Sequence, residues 1–138
     1  QIWNDVNQFI SEWYSSDDEM IVQTSGSTGK PKLISVKQKW MRNSAQLTGK
    51  TFSLKEGDTA LLCMPMKYIA GKMMVVRALE LGLDLKVVKP SSNPLNGIKE
   101  IIDFSAMVPF QLENSLNQLN KIKTLIMCGG QVSPKLVE

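Results

Sequence analysis

Histidine is absent from the 138 residues, so imidazole acid–base catalysis and the common zinc patterns are excluded within this chain. Cysteine is scarce. Cys63 and Cys128 each sit inside an apolar run, ALLCM and LIMCG, where a free thiol behaves as a small buried hydrophobe rather than as a redox or metal group. No apolar run approaches the ~18 residues that a membrane helix needs, because Lys67, Lys72 and Arg77 interrupt the best candidate. The opening QIWNDVNQFI holds an acid and no basic segment, which argues against a secretory signal and leaves a cytoplasmic setting as the expectation. Residues 1–19 contain no base, and residues 20–55 contain no acid.

What is present suits one globular domain. A chain of this length buries roughly two-thirds of the surface that its unfolded form exposes, and 43% hydrophobic with 21% charged residues is ordinary for a soluble protein with a single core. The net charge of +3 conceals a split between an acidic start (Asp5, Glu12, Asp17, Asp18, Glu19) and a basic stretch (Lys30, Lys32, Lys37, Lys39, Arg42, Lys50, Lys55). Aromatics are not interleaved with these bases, so no nucleic-acid partner is expected; the stretch reads as a local field that favours a small polyanion.

Ile2, Val6, Phe9, Ile10 and Trp13 recur at helical spacing, which predicts a helix over 3–15. MIVQT (20–24) and LISV (33–36) predict two short strands joined by a polar loop. A helix over 37–50 is expected to carry Trp40, Met41, Ser44, Ala45 and Thr48 on one side and to end near Gly49. Beyond it, TALLCM (59–64), DLKVV (84–88), FSAMV (104–108) and TLIMC (124–128) are apolar runs without clean alternation, as expected of strands covered on both faces. Helices are expected at 70–81, ending at Gly82, at about 94–103, and at 109–120, starting with Pro109. Strand and helix in alternation predict an α/β fold: a mostly parallel, doubly wound sheet with flanking helices. The start inside an amphipathic pattern without Met, and the end at SPKLVE, where Ser133 and Pro134 would open a helix, suggest a piece of a larger domain.

One stretch stands apart. Residues 24–32, TSGSTGKPK, gather four hydroxyl side chains, two glycines and two lysines. As plain loop chemistry they would make an exposed hairpin turn. The glycines at 26 and 29, however, free the backbone to turn several N–H groups toward one point, an anion-binding nest to which the hydroxyls add donors and Lys30 and Lys32 add charge. A Walker A loop fails on spacing, since Thr24 stands where its first glycine belongs and Pro31 follows Lys30. Hydrogen bonds to a charged group contribute roughly 1.5–3 kcal/mol each, so three or four suffice to hold a triphosphate.

The run VQTSGSTGKPKLISV resembles the signature loop of the adenylate-forming superfamily, whose members include acyl- and aryl-CoA ligases, luciferases and nonribosomal-peptide adenylation domains. LLCMPMKYIAG (61–71) resembles that superfamily's Pro-Leu-Phe-His-x-x-Gly segment, and LIMCGGQVSPKLVE (125–138) its Gly-Gly-Ala/Glu-x-Leu segment beside the adenine. FSAMVPFQLENSL (104–116) resembles the strand and Pro-headed helix before it, so the likeness covers about residues 20–138. Tyr68 stands where many members have the histidine of the acyl pocket and Lys67 replaces an apolar neighbour, which implies a variant pocket; Leu33 stands where a glycine is usual after Pro-Lys, which argues against close backbone approach there. Within the superfamily, the wording MPMKYIAG and CGGQVSP resembles the o-succinylbenzoate–CoA ligases of menaquinone synthesis.

The resemblance implies part of the large N-terminal domain of such an enzyme, with ATP, Mg²⁺, CoA and a small carboxylic acid as ligands. It assigns Thr24, Ser25, Gly26, Ser27, Thr28 and Gly29 to the β- and γ-phosphates, with Lys30 and Lys32 in support. Gly129, Gly130 and Gln131 would border the adenine, and Tyr68, Ala70 and Gly71 the acyl site. The superfamily's magnesium segment, ribose-binding aspartate, hinge and catalytic lysine have no counterpart here, so no metal ligand is expected and these residues alone are expected to be inactive. An enzyme loading a carrier-protein thiol, and a non-enzymatic α/β module binding an anion or a protein, are the alternatives.

Overall fold

The computed structural model describes residues 2–16, 18–24 and 30–129. Helix α1 (Ile2–Ser15) buries Val6, Phe9 and Trp13, the apolar positions that its periodicity marks, with the Phe9 and Trp13 rings 6.0 Å apart. Strands β1 (Glu19–Thr24) and β2 (Lys32–Lys37) pair antiparallel from Glu19↔Lys37 to Thr24↔Lys32, so the two ends of the polar loop are held side by side. Met20 and Val22 anchor this hairpin in the core.

Helix α2 (Gln38–Phe52) runs past Gly49 and is closed by Ser53 in the left-handed conformation (φ 54°). Gly49 is a packing residue rather than a terminus: a Cβ placed on it would lie 2.6 Å from a Leu81 methyl, so the glycine lets α2 approach helix α3 (Ile69–Leu81) closely. The buried stripe of α2 is Gln38, Met41, Ala45 and Gly49. Trp40 is not part of it; the ring is 61% exposed, with the Lys37 ammonium 5.8 Å from its centroid.

Strands β3 (Thr59–Leu62), β4 (Asp84–Val87), β5 (Ile102–Met107) and β6 (Ile122–Met127) form a second sheet in the order β4-β3-β5-β6, parallel throughout. Both faces are covered. Ala60 and Leu62 pack toward α1, α2 and α3, whereas Leu61 and Cys63 pack with Leu95, Ile102 and Met107 on the other side. The helix expected at about 94–103 is a turn: Gly97 takes φ 85°, Ile98 N–H bonds to Leu95 O, and β5 already begins at Ile102. Helix α4 (Pro109–Glu113) is shorter than the pattern predicts: it is capped at Asn114, whose backbone N–H and side-chain amide both donate to Phe110 O, and the chain continues as a 3₁₀ helix over Leu116–Lys121. The expected helix start at Ser133 and Pro134 lies outside the described residues. No described helix is long and apolar enough to cross a membrane.

Candidate functional site

In the parallel sheet β3 lies between β4 and β5, so the chain leaves β3 first to one side and later returns on the other. Ligands of open α/β sheets bind beyond the carboxyl ends of strands at such a reversal. A cavity of about 790 Å³ lies there. Met64 and Pro65 after β3, Pro90–Ser92 after β4, Val108 after β5, and Cys128 with Gly129 after β6 form its walls. An isolated parallel bridge between Gln23 and Tyr68 draws the end of β1 to the start of α3, which brings Thr24 into the lining.

Helix α3 supplies one wall through Ala70, Met73 and Arg77, three positions of a single helical stripe, with Tyr68 preceding its first turn. Gly71 does not line the cavity. It is buried behind it, where a Cβ would collide with the Pro65 carbonyl, so its role is to let the chain after β3 lie directly on α3. Lys72 holds the same connection from outside: its ammonium donates to Met66 O and sits 5.7 Å from the Phe9 ring centroid, and burial pushes its pKa down. Lys67 is exposed, 5.0 Å from the Tyr68 ring centroid.

Arg77 is 9% exposed, yet none of the ion pairs among the described residues involves it. One guanidinium nitrogen approaches Met74 Sδ at 3.4 Å, the group lies 5.7 Å from the Phe104 ring centroid, and Nε has no partner among the described residues. Burial lowers its pKa, but an arginine stays charged in proteins. A buried cation is normally paired, and this one opens on a cavity whose described lining contains no carboxylate. Cys128 shares that cavity, and burial raises its thiol pKa. Cys63, sealed between the strands, is pushed up to about 12, which makes it inert at neutral pH.

Thr24, Tyr68, Ala70 and Gly129 therefore meet at one cavity, with Gly129 in the left-handed region (φ 62°). Lys30 and Lys32 are exposed, with Lys32 at the loop end of the hairpin opposite Thr24. Ser25, Gly26, Ser27, Thr28, Gly29, Gly130 and Gln131 lie outside the described residues. The local reading passed over Arg77, Gln111, Cys128 and the Pro90–Ser92 segment. Only Arg77 leaves a local trace, as a lone charge in the apolar run MMVVRAL. The described lining offers an anion one guanidinium and several hydroxyls; for a metal ion, no group of three His, Cys, Asp or Glu side chains occurs among the described residues.

A family model described as AMP-binding enzyme matches residues 4–138. An acyl-CoA synthetase (AMP-forming)/AMP-acid ligase II-like protein from Dyadobacter fermentans is 39% identical with a TM-score of 0.85, over 98% of this chain and 41% of that one. A 2-succinylbenzoate–CoA ligase of Bacillus cytotoxicus is 27% identical over 94% of this chain and 29% of its own length. The o-succinylbenzoate CoA synthetase of Bacillus subtilis, in complex with its acyl-adenylate intermediate, shares the fold at a TM-score of 0.68 and 22% identity, over 85% of this chain and 33% of that one. The chain thus spans less than half the length of each of these relatives.

Proposed function

The chain belongs to the AMP-binding enzyme family, and on that premise we propose that the protein carrying it is an ATP-dependent acid–CoA ligase that acts on 2-succinylbenzoate, in menaquinone synthesis. A carboxylate oxygen of the acid attacks the α-phosphorus of ATP, and the bond to the bridging oxygen breaks as pyrophosphate leaves. The sulfur of CoA then attacks the acyl carbon, and AMP leaves with the bonding pair. Fixed donors aimed at the charge developing on the phosphates are the main source of acceleration in such a site. In this reading residues 24–29, with Lys30 and Lys32, receive the phosphates, residues 129–131 flank the adenine, and Tyr68 and Ala70 flank the acid. Mg²⁺ neutralises phosphate charge when bound with ATP, and no described residue is assigned to it.

The observation that carries the reading is Arg77, a buried guanidinium whose Nε has no partner among the described residues, on the wall of the cavity that also reaches Thr24. 2-Succinylbenzoate keeps a second carboxylate after its first is activated, and that group completes the missing ion pair. The likeness to the 2-succinylbenzoate–CoA ligase of Bacillus cytotoxicus supports the same acid.

The test is acid-dependent pyrophosphate release by the full-length protein. Release with 2-succinylbenzoate at an efficiency at least tenfold above benzoate, followed by consumption of CoA, is the expected result. No acid-dependent release with either compound overturns the ligase reading, and release without consumption of CoA moves the acceptor to a carrier-protein thiol. The 138 residues by themselves are expected to show no ATP–pyrophosphate exchange.

A further inference from the structure

Gln111 in α4 is 5% exposed, and its side chain reaches three chain segments at once. Its Nε2 donates to Cys63 O at 2.8 Å and to Ser91 O at 3.0 Å, and its Oε1 accepts from the Val108 N–H at 3.2 Å. Cys63 follows β3, Ser91 lies in the segment after β4, and Val108 follows β5, so one amide joins three neighbouring walls of the cavity. Glutamine carries two N–H donors and one acceptor in a single plane, and here every one is engaged.

Residues 88–91 have no regular structure of their own. The Val88 N–H bond to Leu62 O holds the start of that segment, and the Asn96 N–H bond to Asn93 O follows it. Between the two, the tie at Ser91 comes from Gln111, with a weaker one from Ser115 Oγ to Asn93 Oδ1 at 3.4 Å.

We propose that Gln111 is a positioning residue of the acid pocket: it seats the Pro90–Ser92 wall against the end of β3 and so sets the affinity for the acid. The proposal rests on the ligase reading for its kinetic consequence and on hydrogen bonding alone for its structural one. In Gln111→Glu the oxygen that replaces Nε2 faces the carbonyls of Cys63 and Ser91. Ionised, it is repelled by both; protonated, it donates to one, and burial shifts its pKa upward. The defect is therefore largest at high pH and eases as pH falls.

The full-length protein, Gln111→Glu and the volume-matched Gln111→Met are compared by pyrophosphate release against 2-succinylbenzoate and ATP from pH 5.5 to 8.5. At pH 8 the KM for the acid is expected to rise at least tenfold in both variants, with kcat within threefold and the KM for ATP within twofold. Relative to wild type, the acid KM of Gln111→Glu alone should then recover at least threefold by pH 6. An acid KM within twofold of wild type in both variants overturns the proposal, as does an equal rise for ATP, which marks general loosening. Wild-type protein without acid-dependent release overturns the ligase reading instead. Amide exchange then decides the clamp: at least tenfold faster exchange at Val88 and Asn96 in Gln111→Met, with β6 unaffected, upholds it, and unchanged exchange there overturns it.

Discussion

In β2 the side chains from Lys32 to Ser35, and that of Lys37, are exposed; in β3 Ala60, Leu61 and Leu62 are fully buried. The hairpin is a two-stranded ribbon, a unit that is marginal on its own, and it persists because Met20 and Val22 insert into the main core. The parallel sheet is covered on both faces and needs no such anchor. The two regions also carry their chemistry differently. The polar residues that join the two hairpin strands, 24–32, are contiguous in sequence, whereas the cavity beyond the carboxyl ends of the sheet gathers described residues from positions 24 to 129. The anion grip proposed for residues 24–29 requires little beyond a held loop, while the proposed acid pocket requires a fold.

The contrast breaks first in the sheet. Leu62→Ala, which empties a fully buried position, is expected to cost about 3 kcal/mol in a urea melt. If Leu62→Ala costs no more than a substitution on the hairpin, the sheet is not the stabilising body of this protein. Gly71→Ala is expected to cost about 2 kcal/mol by the same measurement, because the new methyl meets the Pro65 backbone, which has little room to move.

Arg77→Met sharpens the comparison by separating function from stability. Charge-assisted hydrogen bonds are worth roughly 1.5–3 kcal/mol, so kcat/KM for the acid should fall about 10- to 100-fold. The melting temperature of the unliganded protein should not drop, since a buried unpaired charge is replaced by an apolar chain of similar size. A drop in both would assign Arg77 to the core rather than to a ligand.

Asp103 gives a smaller, pH-dependent effect at the opposite end of the sheet. Its carboxylate accepts the Thr59 N–H at 2.8 Å and pairs with Lys123 at 3.3 Å, and these hold its pKa below the ordinary 3.8. A depressed acid stabilises fully above its unfolded pKa, and that contribution is lost as pH falls through the lower folded value. Asp103→Asn should therefore cost under about 1 kcal/mol at pH 7, and the gap to wild type should narrow as pH falls below the ordinary 3.8 and through the lower folded value. Leu33→Ala in β2, at a side chain 71% exposed, is expected to change stability by less than about 0.5 kcal/mol.

Strands were legible where apolar runs were short and bounded, as at 59–62 and 84–87, and the hairpin was legible because its loop residues name themselves. Helical pattern misled at 94–103, where Leu95 and Ile98 sit at helical spacing yet serve the far face of the sheet from a turn. It misled again at Trp40, where an aromatic at a plausible core position stacks with Lys37 instead. Gly49 reads as a helix end because close approach to Leu81 leaves no mark in a neighbouring residue. Of the cavity, Thr24, Tyr68, Ala70 and Gly129 lie within the motifs, whereas Gln111 looks like any polar helix residue until Cys63 and Ser91 arrive beside it.

Spacing and residue type alone determined the alternation of strands and helices, the parallel character of the sheet and the concentration of small polar and basic residues over 24–32, because each depends on neighbours within a few positions. Tertiary structure decided the rest: which strand lies centrally, where the cavity opens, and that a described lining without a carboxylate includes an arginine whose Nε has no described partner. Those depend on distances between residues far apart in the chain, and such distances exist only once the core has closed.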